Sequence, residues 1–408
     1  MLDVVLLILS ICAYGFGKLN DILPVTLSNV FIFICFLYHI PRIIHNRTFY
    51  YNNYLLLLLS FIIIGAIVNT KYSHLIDKVQ FIAYYIIYSL AIISTIQKHG
   101  PEKILRIYTK ICFYLAIIGL LQVASYIVGF SLFNDAIRLL SENKNTSVSG
   151  LLVRATSIAS EPAVLGIYLL PALVLSVSKL FGVKESSQFI SRRHALVILA
   201  AAACTLSLIV YVYLLAIVLT VMIKQRKFFL SIALSLFIAA LYGVAQNIES
   251  INSRLTELSD SQSIDSSENI SVIAFNSNLK VTEASLDSDF FFGTGIASHA
   301  EKYESLVYGF YSANLNGVGL NKDDAASMIL RTLSELGMIG FILFYSASAL
   351  YFFRKKYSSN NFIQEVFLIS FLLYGLRYGS INTPMFWFYL TGFLGCYARR
   401  YGFKAYRF

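Results

Sequence analysis

Long apolar runs separated by short polar gaps dominate the chain. They lie near 1–17, 25–40, 53–69, 75–96, 104–128, 161–181, 195–223, 228–243, 327–353, 361–378 and 382–398. Runs of about 15–25 residues suit transmembrane helices and are too long for barrel strands. One long stretch interrupts the pattern. From Tyr242 to Ala326 the chain is mostly polar, and Arg254, Lys280, Lys302 and Lys322 are outnumbered by twelve acids, among them Asp287, Glu301, Asp323 and Asp324. Within it, Ser271–Leu286 reads as a short helix. The Phe290-Phe291-Phe292-Gly293-Thr294-Gly295 run reads as an apolar anchor and a glycine turn. Gly293 and Gly295 suit close approach to a ligand, and equally an ordinary loop.

The gaps carry cations in clusters: Arg42 and Arg47, Lys98 to Arg106, Lys179 to Arg193, Lys224 to Lys227, Arg354 to Lys356, and the tail from Arg399. The positive-inside rule places these in the cytoplasm. Residues 195–223 have such clusters at both ends. Twenty-nine residues are too long for one span, so they predict two half-length helices of roughly 21 Å each, turning near Ser207–Val210. That gives about twelve membrane segments with both termini inside. The expected organisation is helices over 1–241 with an outer loop at 129–160, a large outer loop at 242–326, then helices and a basic tail over 327–408. Half-length helices expose backbone at membrane depth, so a cavity beneath the outer face is expected.

Composition supports an all-α integral membrane protein. Of 408 residues, 57% are hydrophobic and 13% charged, against roughly 25% charged in soluble domains. The net charge of +10 follows the topology clusters, so no nucleic-acid partner is expected. The five cysteines fall in apolar runs, with neither disulfide nor metal spacing. The first segment lacks a basic leader and reads as a retained helix.

Several charges need a separate reason. Arg154 and Arg377 stand at outer ends of membrane segments, against the usual bias. Guanidinium binds phosphate bidentately, each contact contributing on the order of 4 kcal/mol before desolvation; snorkelling to lipid phosphates is the alternative. Arg331 and Glu335 are four apart on one helix, as a local ion pair or as part of the site. Glu161 before Pro162 is a helix cap or a base. His299 is an unremarkable loop histidine or a proton carrier.

Four stretches at these positions resemble the O-antigen polymerase and ligase superfamily, specifically the Wzy-type polymerases. They are Arg154-Ala-Thr-Ser-Ile-Ala-Ser-Glu161-Pro162, Phe292-Gly-Thr-Gly295, Ser334-Glu335-Leu336-Gly337 and Arg377-Tyr-Gly-Ser-Ile-Asn-Thr-Pro384. The resemblance implies a GT-C-like membrane glycosyltransferase in the bacterial inner membrane, with its active face in the periplasm. It would polymerise repeat units carried on undecaprenyl pyrophosphate, with no cofactor and no required metal. Arg154 and Arg377 would bind the pyrophosphate, with Arg254 and Arg331 as further candidates, while Glu161, His299 and Glu335 would be candidates for the chemistry. Partners implied are lipid-linked glycan donor and acceptor, membrane lipids and a chain-length regulator protein. Relatives carry a Ser-Arg pair at the short hairpin, where this chain reads Ser207-Leu208, so no role is carried there. The competing readings are an O-antigen ligase and a lipid-linked oligosaccharide flippase.

Overall fold

The structure is a computed structural model. It describes residues 1–14, 26–46, 48–49, 53–68, 75–130, 147–148, 152–225, 270–310, 319–353, 359–381, 383–401 and 406–407. Arg254, the apolar run near 228–243 and the acidic stretch 249–268 lie outside them. Among the described residues the helices are α1 (Leu2–Ala13), α2 (Leu27–Asn46), α3 (Asn53–Val68), α4 (Leu75–His99), α5 (Pro101–Ile127), α6 (Pro162–Leu180), α7 (Arg192–Cys204), α8 (Leu208–Lys224), α9 (Ile270–Ser288), α10 (His299–Phe310), α11 (Met328–Phe353), α12 (Ser359–Arg377) and α13 (Pro384–Tyr401). Strand structure among the described residues is confined to two antiparallel two-residue pairs.

Five described helical segments are long and apolar enough to cross a membrane: Leu27–His45, Ile76–His99, Pro101–Ile127, Pro162–Leu180 and Met328–Ser346. Leu2–Ala13, Leu56–Gly65 and Leu208–Lys224 are shorter apolar helices. The predicted division of 195–223 is present as a break between α7 and α8. Thr205 caps α7, Leu206 takes the left-handed region (φ 46°), and the Tyr211 hydroxyl reaches back to the Ala203 carbonyl at 2.8 Å. The break falls two residues earlier than the hydropathy pattern suggests.

Helix α6 forms the centre. Its sequence, PAVLGIYLLPALVLSVSKL, is apolar all round, and nearly every side chain is buried. Pro171 sits inside it and lacks the N–H that would bond the Ile167 carbonyl. The Tyr389 hydroxyl of α13 donates to that carbonyl at 2.8 Å, and the Tyr108 hydroxyl of α5 donates to the next one, on Tyr168, at 2.9 Å. Two buried tyrosines thereby satisfy carbonyls around the proline and tie α5 and α13 to α6. Trp387 is fully buried beside them, donating to the Ile381 carbonyl and meeting Tyr85 edge-on at 4.4 Å. At the Asp3 end of α1, the buried Asp3 carboxylate joins α1 to α4 through Lys98 (2.8 Å) and His99 (2.9 Å).

Candidate functional site

The glycine turn and the Ser334-Glu335-Leu336-Gly337 stretch meet each other. Helix α11 is broken at Gly337 (φ 63°, ψ −166°), which removes the local helical partners of the preceding carbonyls. The turn supplies replacements: Thr294 N–H donates to the Ser334 carbonyl and Gly295 N–H to that of Glu335, both at 2.9 Å. In return, Met338 and Ile339 N–H donate to the carbonyls of Phe290 and Phe291 at 2.9 and 3.1 Å. The backbones touch, with Gly293 also left-handed (φ 68°). Gly293 and Gly295 therefore serve a seam between the loop and α11. Phe290, Phe291 and Phe292 at its edge are exposed.

His299, the first residue of α10, stands behind this seam. Its Nδ1 pairs with the Ser334 hydroxyl at 2.8 Å and its Nε2 with the Asn278 side-chain oxygen of α9 at 2.9 Å. Since Nε2 faces a carbonyl-type acceptor, it carries the proton, and Nδ1 accepts from Ser334. Burial, with Arg331 and Lys302 nearby, lowers the imidazole pKa to about 3. The ring is a neutral strut joining α9, α10 and α11. Helix α9 covers the predicted Ser271–Leu286, and packs on α10 through Val281, Tyr303 and Val307.

Arg331 and Glu335 form the anticipated pair, Nε to Oε1 at 3.2 Å, and both are buried. Arg331 also donates from Nη1 to the Asp323 carbonyl at 3.1 Å and the Gly379 carbonyl at 3.3 Å. It clamps two turns to α11. Between those turns there is no room for a side chain: a Cβ on Gly379 would lie 1.6 Å from the Asp324 carbonyl oxygen.

The clamp shapes a strained loop around Asp324. Asn321, Ala325 and Ala326 all adopt left-handed backbone (φ 60°, 53° and 57°), costly for alanine. Asp324 Oδ1 accepts from Ala326 N–H at 3.0 Å, and Oδ2 from the Asn321 amide at 3.4 Å. Burial raises the carboxyl pKa, opposed by the Ala326 N–H and by the charges of Arg377 and Arg331. The Tyr14 and Tyr378 hydroxyls pair at 3.1 Å close by, bringing α1 to the same place.

Arg377, at the end of α12, is half-buried and lies within electrostatic reach of Asp324 and of Tyr213 on α8. Its guanidinium makes no hydrogen bond or ion pair among the described residues. Arg154 lies at the break between α7 and α8. Its Nε donates to the Thr205 carbonyl at 3.1 Å, Ala155 N–H bonds the Cys204 carbonyl at 2.9 Å, and its charge reaches Tyr211. Gln122 of α5 holds the backbone that follows, its Oε1 accepting from Thr156 and Ser157 N–H at 2.9 and 3.0 Å. Glu161 occupies the N-cap of α6, but its exposed carboxylate makes no capping bond.

The site residues thus fall into two groups. Arg154 and Arg377 both act electrostatically on tyrosines in the first two turns of α8, whose N-terminus adds the positive end of a helix dipole. Arg331, Glu335, His299, Gly293 and Gly295 build the adjoining wall, while Glu161 stands at the start of α6. Asp324 was not singled out by sequence reasoning; its proximity to the Arg377-Tyr-Gly379 motif is the signal that only folding reveals. No group of three or more metal-ligating side chains gathers among the described residues. No known protein family matches this chain, and no curated protein matches it significantly.

Proposed function

We propose that this chain is a membrane glycosyltransferase that polymerises oligosaccharide repeat units carried on undecaprenyl pyrophosphate. In this reading about twelve segments span a bacterial inner membrane, both termini are cytoplasmic, and the Arg154–Arg377 face is periplasmic. The observation that carries it is Arg377: a half-buried guanidinium, bonded to nothing among the described residues, whose charge reaches Tyr213 on α8, the helix whose start lies next to the Arg154–Thr205 contact. Such an arrangement suits a polyanion. A pyrophosphate leaving group accumulates negative charge as the glycosidic bond breaks, so preorganised cations lower the barrier. Arg331 supports the wall instead, because its Nε and Nη1 donors are already engaged. The lipid headgroup would sit against the break between α7 and α8, and the exposed Phe290–Phe292 edge would face apolar chains.

The test is the surface glycan of a deletion strain complemented with the full chain. Loss of polymerisation leaves a cap of a single repeat on the lipid acceptor. Absence of any cap with long lipid-linked chains accumulating would reassign the protein as a ligase, and repeat units trapped at the inner face would make it a flippase. Cysteine labelling at positions 184 and 224 checks the orientation: both should react only from the cytoplasmic side.

A further inference from the structure

Glycosyl transfer to a sugar hydroxyl needs a group to take the hydroxyl proton, and the three sequence candidates are poorly placed for it. His299 is buried with both ring nitrogens bonded, and Glu335 is buried against Arg331. Glu161 is exposed at a helix start, with no described neighbour orienting it. One other carboxylate stands beside the anion-binding arginine.

We propose that Asp324 is the proton acceptor for the incoming sugar hydroxyl, a role that rests on the glycosyltransferase reading above. Asp324 as a residue is partly exposed, and its carboxylate is oriented by Ala326 N–H and the Asn321 amide, which leave acceptor capacity on both oxygens. The surrounding loop holds three residues in left-handed backbone and is pinned by Arg331 and by the Gly379 approach. Strain retained in this way belongs to a residue whose position matters. The charged and titratable groups facing it are Arg377, Tyr374 and Tyr378 from α12 and its end, Arg331 from α11 and Tyr14 from α1.

The step balances. The acceptor hydroxyl oxygen bonds to the anomeric carbon while the bond from that carbon to the pyrophosphate oxygen breaks. The electron pair leaves on the pyrophosphate, which Arg377 and Arg154 receive, and the hydroxyl proton passes to Asp324. Burial weakens Asp324 as an acid, which strengthens it as a base, while the Ala326 N–H and the Arg377 charge favour its ionised form.

The experiment follows glycan elongation in spheroplasts of the deletion strain carrying the full chain, with the buffer setting the pH at the exposed face and the endogenous lipid-linked repeat as substrate. Asp324→Asn should slow elongation roughly a hundredfold or more, and its residual rate should be flat with pH where the wild-type rate falls on acidification. Asp324→Glu should keep activity within about tenfold, with its acid limb displaced. Purified full-length Asp324→Asn should still bind inorganic pyrophosphate at least as well as wild type, since a negative charge has been removed. Asp324→Asn elongating within about threefold of wild type, or with an unchanged pH profile, overturns the assignment and leaves the glycosyltransferase reading standing. Should Asp324→Asn be missing from membranes, an unshifted Asp324→Glu profile overturns it instead. No elongation by the wild-type chain overturns the functional reading and this inference together.

Discussion

Gly293 and Gly337 face each other with their backbones in contact. A Cβ on Gly293 would lie 2.6 Å from the Gly337 nitrogen, and one on Gly337 would lie 2.5 Å from the Gly293 nitrogen. Both also need left-handed backbone. Either residue replaced by alanine must separate the loop from α11, breaking the four backbone bonds around the seam that involve Thr294, Gly295, Met338 and Ile339.

Gly293→Ala and Gly337→Ala should therefore each destabilise the protein by about 2–4 kcal/mol. Gly182→Ala is the control, since its added Cβ meets nothing within 4 Å; it carries only the conformational penalty of its positive φ. Thermal unfolding of detergent-purified protein makes the comparison. Equal losses at positions 182 and 293 would mean that the seam adds nothing beyond backbone strain.

The loop and α11 show what was legible in advance. The helix expected at Ser271–Leu286 is there as Ile270–Ser288, and the break in 195–223 falls at residues 205–207, because hydropathy and charge act locally. The two glycine motifs were visible separately. Their meeting was not, since a contact between residues 44 positions apart, made through backbone atoms, leaves no periodicity. Asp324 was hidden for the opposite reason: it was one acid among twelve, and only the turn at Gly379 distinguishes it.

The His299 strut carries a pH dependence. Its folded pKa, about 3, lies below the ordinary 6.5. The unfolded chain therefore binds this proton first, and stability present above pH 6.5 declines as pH falls toward 3, by up to about 1.4 kcal/mol per unit. Unfolding temperatures measured from pH 7 to 4 should drop more steeply for wild type than for His299→Gln, which keeps an amide in place of the ring. Parallel curves would show that another group controls acid stability.

Tyr389 tests the core in isolation from the site. Tyr389→Phe preserves the ring but leaves the Ile167 carbonyl without its donor beside Pro171. A loss of about 1–3 kcal/mol is expected. Combining it with Pro171→Ala, which restores a helical N–H to that carbonyl, should recover most of the loss. A double variant no more stable than Tyr389→Phe would remove the proposed link between the proline and the tyrosine.

The two arginines at positions 331 and 377 should fail in different ways. Arg331 donates to Glu335 and to two carbonyls that hold the Asp324 turn, so Arg331→Lys loses a planar fork that bonds three partners. The expected result is lower folded protein in membranes, with activity falling in proportion. Arg377 bonds none of the described residues, so Arg377→Lys should reach wild-type membrane levels and keep its unfolding temperature. Its defect should lie in elongation alone. Losing a bidentate charge-assisted contact of about 3 kcal/mol slows transfer on the order of a hundredfold. Removing the charge altogether with Arg377→Ala should be only modestly worse than the lysine variant, because geometry as well as charge is required. The glycan ladder, normalised to membrane protein by blot, separates the cases. Normal chain lengths with Arg377→Lys at equal expression would return that residue to contact with lipid headgroups and move the pyrophosphate site elsewhere.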